Sequence, residues 1–502
     1  MTTHRAPPPG RRIRTVATLR ADAPPCADAC LHVRRSALLA ENSARSEENP
    51  VTQPSAPLPE NPPTRAPDPK EVRTVLASGF MGTLLEYYDF MLYATAASLV
   101  FGPLFFSGLG PQGALLASFS TLAVGYLIRP LGGIILGHFG DKIGRKPILV
   151  FTLALIGVAS VGIGLLPTTQ DGNYFGVFAL VFLRVLQGIA VGGEMTGAAL
   201  MAVEHAPEKS RAFAGAIAVS GGPAGTVLAA LVVATTAVLS GDDFLVWGWR
   251  VPFLLSAILV VAAFIIRLKV TESPLFEQLE EEKKEKRLPI LDVFSKHMKT
   301  ILIGVGVYTS MVFTQQIVTV YGLALATQNG VEVSESLYLK AGGALGLMIT
   351  TVLFARLSDR IGTTKVLMMG AVAGGVLAIP ILLMLSNGTV WGFVLAILLG
   401  NVIIQGALYG PFAAFIARRL PTAVRFTGTA LVYNIASTLG GLAPTVAAAL
   451  AVAFAGSVLP LGFLWIVVAL ITILSLIVAP KSGPTLTQVS RPVTMDRHGI
   501  KR

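Results

Sequence analysis

Two carboxylates and one arginine are the side chains of this sequence best suited to chemistry in an apolar environment. Glu86 and Asp89 lie three positions apart in a largely apolar stretch, so a helix would place both on one face, which Tyr93 continues. Arg184 lies in a second apolar stretch, with Gln187 on the same helical face. Ionisable groups in such surroundings commonly carry protons or hold ions. We therefore predict that these five residues belong to a functional site.

The composition indicates that these residues lie in a membrane. Apolar residues make up 53% of the chain and charged residues 13%, with a mean hydropathy of +0.68. Soluble domains average about 45–50% apolar and about 25% charged residues. A membrane-spanning helix needs about 20 predominantly apolar residues. Twelve such segments are centred near Leu85, Ala123, Ala154, Ile189, Val227, Leu259, Met311, Leu345, Val372, Ile404, Ile435 and Val467.

The net charge of +11 does not indicate a nucleic-acid partner, because the basic residues alternate along the chain. Lysines and arginines cluster in every second connection between apolar segments, and the other connections contain almost none. Arg250 and Lys340 are the exceptions near a segment boundary. Basic connections face the cytoplasm by the positive-inside rule. This pattern predicts a lipid bilayer as the surroundings and cytoplasmic N- and C-termini.

The depth of the charged residues favours function over a purely structural role. If the first helix enters the bilayer near Val75, Glu86 lies roughly 16 Å deep and Asp89 roughly 21 Å deep. The alternative is a structural carboxylate that pairs with a neighbouring arginine or a helix end. Arg129, which precedes a helix-kinking proline, is either a structural anchor or a ligand contact. Glu194, after the Arg184 stretch, is a further candidate for proton coupling.

The second half of the chain carries amides and tyrosines where the first half carries charges. These groups could hydrogen-bond a ligand, or could join helices to one another. The candidates for ligand binding in this half are Gln315, Gln316, Asn401, Gln405, Tyr433 and Asn434.

Two polar turns that recur at nearly equal spacing indicate an internal duplication. Asp141 and Asp359 lie in related turns, 359 − 141 = 218 positions apart. Pro207 and Pro421 open Pro-x-x-x-Arg turns that are 421 − 207 = 214 positions apart. Duplicated halves are typical of membrane transporters.

The duplication predicts five segments. Residues 71–268 form an N-terminal six-helix bundle, 269–298 a cytoplasmic linker, and 299–480 a C-terminal six-helix bundle. Residues 1–70 form a disordered cytoplasmic tail, in which the true start could lie further downstream, and 481–502 a second cytoplasmic tail. The two cysteines, at positions 26 and 30, are interpreted as incidental thiols, so we expect neither a metal site nor a disulfide.

These residues resemble those of the major facilitator superfamily and, within it, of the metabolite:H+ symporter family, which includes bacterial shikimate and α-ketoglutarate carriers. The resemblance covers about residues 70–480. The matching residues are Gly82, Glu86, Tyr88, Asp89, Phe90 and Tyr93 in the first span, Gly137, Asp141, Lys142, Gly144, Arg145 and Lys146 in the first polar turn, Arg184, Gln187, Gly188, Gly192, Gly193 and Glu194 in the fourth span, 247–253 and 272–276 around the sixth span, and Arg425, Thr427, Gly428, Tyr433, Asn434 and Pro444 near the eleventh.

The resemblance implies an all-α membrane protein with twelve transmembrane helices in two pseudo-symmetric six-helix bundles. Spans 1, 4, 7 and 10 would line a central cavity, and the polar turns would act as a cytoplasmic gate, in which Asp141 could cap a helix N-terminus. The implied gate residues are Gly137, Asp141, Gly144, Arg145, Lys146, Asp359, Arg360 and Arg425. The sequence departs from the family pattern at 195–196, 363–364 and 417–419.

The function implied by the resemblance is proton-coupled uptake of a small organic acid across the bacterial inner membrane, by a monomer that needs no cofactor other than protons. Arg184 would keep Glu86 or Asp89 ionised until an anionic substrate engages Arg184, and the carboxylate would then take a proton. An osmolyte symporter of the proline/betaine type, a drug/H+ antiporter and a non-transporting receptor are the alternatives. The sequence contains no hydrolase, P-loop or zinc-protease motif, so we do not expect an enzyme.

Overall fold

The computed structural model describes residues 69–143, 145–168, 174–192, 211–269 and 296–480. These ranges are almost entirely helical and contain no β-strand. The prediction of an all-α fold is confirmed.

Twelve helices, numbered α1 to α12, follow one another in the described ranges. The first six are α1 (Pro69–Leu99), α2 (Gly110–Ile143), α3 (Arg145–Gly164), α4 (Phe175–Gly192), α5 (Arg211–Val219 with Gly221–Ser240) and α6 (Arg250–Lys269). The second six are α7 (Met298–Gln328), α8 (Val333–Ile361), α9 (Thr363–Ser386), α10 (Val390–Ala417), α11 (Thr422–Gly441 with Ala443–Ala453) and α12 (Leu459–Val478). Short helical pieces in the connections are Phe101–Phe105, Ser107–Leu109 and Gly241–Leu245.

Nine of these helices, within the described residues, are long and apolar enough to cross a membrane: α2, α4, α5 and α7 to α12. α3 and α6 contain shorter apolar stretches, Val150–Gly164 and Arg250–Ala262. α1 is 31 residues long and carries Glu86 and Asp89. Each of the twelve predicted segment centres falls within one helix. The chain is therefore a multi-pass membrane protein.

Helix packing repeats between the two halves of the molecule. In the first half, α1 packs on α5, α2 on α4, and α3 on α6. In the second half, the corresponding helices pack in the same pairs: α7 on α11, α8 on α10, and α9 on α12. The halves meet where α5 packs on α8 and where α2 packs on α11. The repeated pairs are those expected of a duplicated bundle.

Glycines allow α2 and α4 to approach closely. A Cβ atom on Gly188 would lie 2.7 Å from the carbonyl oxygen of Gly125, and a Cβ atom on Gly192 would collide with the carbonyl oxygen of Arg129. Small residues at helix interfaces permit such contact between backbones. As a result, Arg129 on α2 and Arg184 on α4 extend from neighbouring backbones into the same region.

α7 and α10 each contain a π-helical segment, at Ile317–Tyr321 and Ile397–Gln405. A π segment breaks the regular hydrogen-bond ladder of an α-helix and is frequent at functional sites. The two segments pack on each other, since a Cβ atom on Gly400 would lie 2.6 Å from Val318 Cγ2. The two predicted cavity-lining helices of the second half are thus irregular at the point where they meet.

Candidate functional site

Asp89 lies in a buried hydrogen-bond network formed by α1, α3 and α4. Its side chain is 6% exposed. Ser160 Oγ donates a hydrogen bond to Asp89 Oδ1, and Gln187 Nε2 donates to Asp89 Oδ2 at 3.0 Å. Gln187 Nε2 also donates to Ser160 Oγ at 2.8 Å. Each carboxylate oxygen therefore has a partner, as burial of a polar group requires.

Arg184 is connected to this network through Gln187. Arg184 Nη1 donates to Gln187 Oε1 at 3.1 Å, so that Gln187 bridges the guanidinium and Asp89. The guanidinium carbon lies 3.9 Å from the centroid of the Tyr93 ring, a cation–π contact. Arg184 Nε and Nη2 are buried without a hydrogen-bond partner in the part of the chain that the structure describes. The sequence predicted that Arg184 faces a carboxylate as its counter-ion, and the structure places Gln187 between the two groups.

Arg129 lies beside Arg184 on a shared aromatic ring. The guanidinium carbons of Arg129 and Arg184 are 4.4 Å and 4.9 Å from the centroid of the Phe90 ring. Arg129 also lies 4.6 Å from the centroid of the Tyr126 ring. Aromatic faces attract cations without neutralising them. The Phe90 ring of α1 thus holds the two guanidiniums close to each other.

Glu86 borders a small cavity at the centre of the helices. Glu86 is half-buried, whereas Asp89 faces α3 and α4, so the two carboxylates of α1 have different surroundings. The cavity has a volume of about 20 Å³, which is room for about one water molecule. Its lining is Glu86, Tyr87, Phe90, Met91, Tyr126, Arg129, Tyr308, Val312, Gln315 and Ser437. A small organic molecule could enter only after the helices move apart.

Tyrosine rings form much of the wall of this cavity. Tyr87 and Tyr126 line the cavity but were not among the predicted residues. Tyr308 lines it from the second half and packs edge-on against Tyr433, with ring centroids 4.5 Å apart. Tyr433, predicted as a ligand contact, therefore lies behind Tyr308. Tyr93 supports Arg184 with its ring and donates its hydroxyl to Thr121 Oγ1 at 2.7 Å.

The predicted amides of the second half occupy different environments. Gln315 lines the cavity, and the neighbouring Gln316 donates from Nε2 to the hydroxyl of Tyr126 across the two halves. Asn401 and Gln405 are buried in the π segment of α10, each with a side-chain oxygen that has no hydrogen-bond partner among the described residues. Asn434 donates from Nδ2 to the carbonyl oxygen of Ala430 in its own helix, at 3.0 Å.

The second polar turn, predicted as part of a cytoplasmic gate, connects the two halves of the molecule. The carboxylate oxygens of Asp359 accept hydrogen bonds from the backbone N–H groups of Ala212 and Phe213, at 3.2 Å and 3.1 Å. These N–H groups belong to the first turn of α5, where they lack partners within the helix and attract anions. Arg356 adds a contact to the same turn, 4.4 Å from the Phe213 ring. The helix-capping role suggested for Asp141 is thus seen at Asp359, which joins α8 to α5.

The remaining predicted gate residues lie at helix ends or near them. Gly137 and Asp141 lie in the last turns of α2, while Arg145 and Lys146 begin α3. Arg425 is buried and donates from Nε to the carbonyl oxygen of Leu420 at 3.1 Å, and Arg360 is exposed. The predicted residues Gly144 and Glu194 lie outside the described residues.

Two buried polar residues of this region were not predicted. Ser160 is a hydroxyl in an apolar segment, and nothing in the sequence marks it as a partner of Asp89. Lys340 is 1% exposed and donates from Nζ to Thr95 Oγ1 of α1 at 2.8 Å. Lys340 lies near a connection that the alternating pattern predicts to contain almost no basic residues, and this exception could have identified it.

Comparison with known proteins agrees with this architecture. Residues 79–445 match the model of the Major Facilitator Superfamily. The shikimate transporter of Escherichia coli is 36% identical over 392 residues, which cover 77% of this chain and 89% of the relative. The inner membrane metabolite transport protein YhjE of Escherichia coli is 34% identical over 384 residues, 74% of this chain and 87% of the relative. The crystal structure of a D-xylose-proton symporter, 20% identical, superposes with a TM-score of 0.62 over 82% of this chain and 98% of that chain.

The fold and the buried charges in its centre define a secondary transporter rather than an enzyme. The chain belongs to the major facilitator superfamily, and its relatives are metabolite carriers. The family prediction made from the sequence is confirmed.

Proposed function

We propose that this protein is a proton-coupled symporter that carries a small organic anion into the bacterial cell across the inner membrane. The observation that carries the proposal is the bridge from Arg184 through Gln187 to Asp89, beside a cavity lined by Glu86 and Arg129. The bridge links a group that can hold an anion to a group that can hold a proton. The similar shikimate transporter, whose named substrate is a carboxylate, supports the choice of an anion.

Charge balance explains why the anion and the proton would bind together. Two guanidiniums, of Arg129 and Arg184, and two carboxylates, of Glu86 and Asp89, offset one another when the site is empty. A bound anion adds one negative charge, and a proton on one carboxylate removes one. Because an uncompensated buried charge is costly, each of the two ligands stabilises the other. Such reciprocal stabilisation is the condition for coupled transport.

Asp89 is the carboxylate that we favour as the proton site. An anion at Arg184 would compete with Gln187 Oε1 for the guanidinium, and Gln187 would then hold the ionised Asp89 less firmly. The Ser160 hydroxyl donates to Asp89 and could rotate to accept from the protonated carboxyl group, since a hydroxyl serves both roles. Protonation of Asp89 would therefore reverse one hydrogen bond without leaving a buried group unpaired. Glu86, at the cavity, would contact the substrate side of the site.

Alternating access would be carried by the two halves, residues 71–268 and 299–480, which the linker 269–298 connects. Both tails, 1–70 and 481–502, would be cytoplasmic, and the carrier would act as a monomer with protons as its only coupling partner. Asp359 joins the halves at the end of α8 that this topology places in the cytoplasm. Release of this contact, and of its counterpart at Asp141, would open the cavity to the cytoplasm.

Uptake into proteoliposomes tests the proposal with shikimate, α-ketoglutarate, proline and glycine betaine as probes. We expect accumulation of at least one of the two carboxylates when the lumen is alkaline, and loss of this accumulation after addition of a protonophore. Accumulation of the zwitterions alone would establish the osmolyte alternative. Accumulation of a carboxylate that is independent of the pH gradient would contradict proton coupling.

A further inference from the structure

Lys340 is a buried cation that the proposed transport cycle does not yet use. It lies seven residues after the start of α8, and its side chain is 1% exposed. Its ammonium group donates one hydrogen bond, to the hydroxyl of Thr95 on α1, at 2.8 Å. No carboxylate pairs with it among the residues that the structure describes. A lysine buried without an opposite charge is costly, and an anion that binds in another state of the protein would offset this cost.

The surroundings of Lys340 are polar and incompletely bonded. Ser336 lies one helical turn before Lys340 on the same face of α8. Ser336 is fully buried, and its Oγ has no hydrogen-bond partner in the described part of the chain. One turn further inward, at Gly343, a Cβ atom would lie 3.4 Å from the amide nitrogen of Asn401, whose side-chain oxygen is also without a partner there. Polar groups thus follow α8 from Lys340 toward the interior.

Lys340 also lies at the boundary between the two halves. Thr95 belongs to α1 of the first half, and Lys340 to α8 of the second. Thr95 is nine residues beyond the cavity residue Glu86, about 14 Å further along the helix. One turn beyond Thr95, Ser98 Oγ donates across the same boundary to the carbonyl oxygen of Val320, at 2.9 Å. When the halves part on this side, Thr95 moves away from Lys340 and the ammonium group loses its acceptor.

We propose that Lys340, with Ser336, forms an outer binding site for the carboxylate group of the transported anion on the extracellular side of the cavity. The Thr95 hydroxyl takes the place of the carboxylate when the outer side is closed. An anion from outside binds the exposed ammonium group first and then moves inward to Arg129 and Arg184, while Lys340 returns to Thr95. This inference rests on the proposed function, because it requires an anionic substrate and an extracellular start of α8.

Initial uptake rates of shikimate and α-ketoglutarate at varied external concentration test this site. Lys340→Met removes the charge with little change in length, and Lys299→Met, at an exposed lysine at the start of α7, is the matched control. For a transported carboxylate, we expect at least a tenfold rise in KM for Lys340→Met with a maximal rate within about threefold of the wild type. Thr95→Val keeps the ammonium and removes the competing hydroxyl, so its KM should not rise. An unchanged KM in Lys340→Met, with the wild type active, would overturn the outer site alone. Absence of carboxylate uptake by the wild type would overturn the proposed function and the outer site together.

A second measurement applies even if Lys340→Met folds poorly. Lys340→Cys is prepared with both tail cysteines, at positions 26 and 30, replaced by serine, and the same vesicles are assayed before and after reaction with aminoethyl methanethiosulfonate. The disulfide formed carries an ammonium group at nearly the lysine length, so the KM should fall toward the wild-type value. Reaction with the anionic sulfonatoethyl reagent should not lower the KM. Equal effects of the two reagents would overturn the role of the positive charge.

Discussion

The two halves of the molecule share their helix packing but differ in the polar groups they place around the cavity. The first half contributes Glu86 and Arg129 to the cavity wall, and Asp89 and Arg184 to the hydrogen-bond network beside it. The second half contributes Tyr308, Gln315 and Ser437 to the same wall, and α7, which carries Tyr308 and Gln315, contains a π segment. One duplicated scaffold thus supports two kinds of site. The comparison suggests that the first half binds the proton and the anionic group, while the second half contacts the rest of the substrate and moves.

The largest loss of uptake is expected from substitution of Arg184, in the first half. Arg184→Ala removes the proposed anion-binding group and the positive charge that is linked to Asp89 through Gln187, and a buried charge left uncompensated is costly. Uptake of an anionic substrate should fall at least a hundredfold at equal protein level in the membrane, as measured with labelled substrate in vesicles. Lys299→Ala, at an exposed lysine at the start of α7, is the control. Uptake by Arg184→Ala within tenfold of the wild type would show that the first half does not hold the anion.

The next largest loss of uptake is expected for substitutions in the two polar turns that contain Asp141 and Asp359. Asp359→Asn keeps the size of the side chain and weakens its two hydrogen bonds to the first turn of α5. Charge-assisted hydrogen bonds are about twice as strong as neutral ones, so we expect a loss of about five- to tenfold in uptake. The same change at Asp141 should give an equal or larger loss, because its turn contains the full family motif. Near-normal uptake by both variants would show that the turns are only connections.

A smaller effect is expected in the amides of the second half. Gln315→Leu removes a hydrogen-bonding group from the cavity wall and should raise KM about three- to tenfold, the equivalent of one hydrogen bond. Its coupling to the pH gradient should remain. Asn434→Ala is the matched control, because Asn434 bonds to its own helix, and its KM should stay within twofold. If Asn434→Ala had the larger effect on KM, the cavity described above would not be the binding site.

Much of the architecture could be predicted from the sequence, because length and apolar composition determine where helices can span a bilayer. All twelve segment centres fall within helices, and the recurring turns revealed the duplication. The same turns singled out Asp359, which accepts hydrogen bonds from the first turn of α5. Arg184 and Asp89 lie close to each other and are joined through Gln187, a proximity that the family resemblance implied.

The parts that could not be predicted depend on helix rotation and on side-chain packing. Periodicity places Glu86 and Asp89 on one face, but it does not show that Asp89 meets Ser160 while Glu86 meets the cavity. Nor does periodicity show that Gln187, a predicted substrate contact, bridges Arg184 and Asp89. A hydroxyl such as Ser160 is common in apolar helices and gives no signal of its own.

The most direct test of the proposed proton site measures two activities of Asp89→Asn: exchange of substrate across the membrane, and accumulation of substrate in response to a pH gradient. The neutral side chain imitates a permanently protonated carboxyl group, because its amide nitrogen can donate to Ser160 Oγ while its oxygen accepts from Gln187 Nε2. Vesicles that contain this variant should exchange labelled substrate in counterflow at a rate within about threefold of the wild type, yet should not concentrate substrate when a pH gradient is imposed. Glu86→Gln, at the cavity, should raise KM and keep accumulation. If Asp89→Asn still concentrates substrate in response to the pH gradient, Asp89 is not the proton site and the proposed bridge through Gln187 does not couple the two ligands.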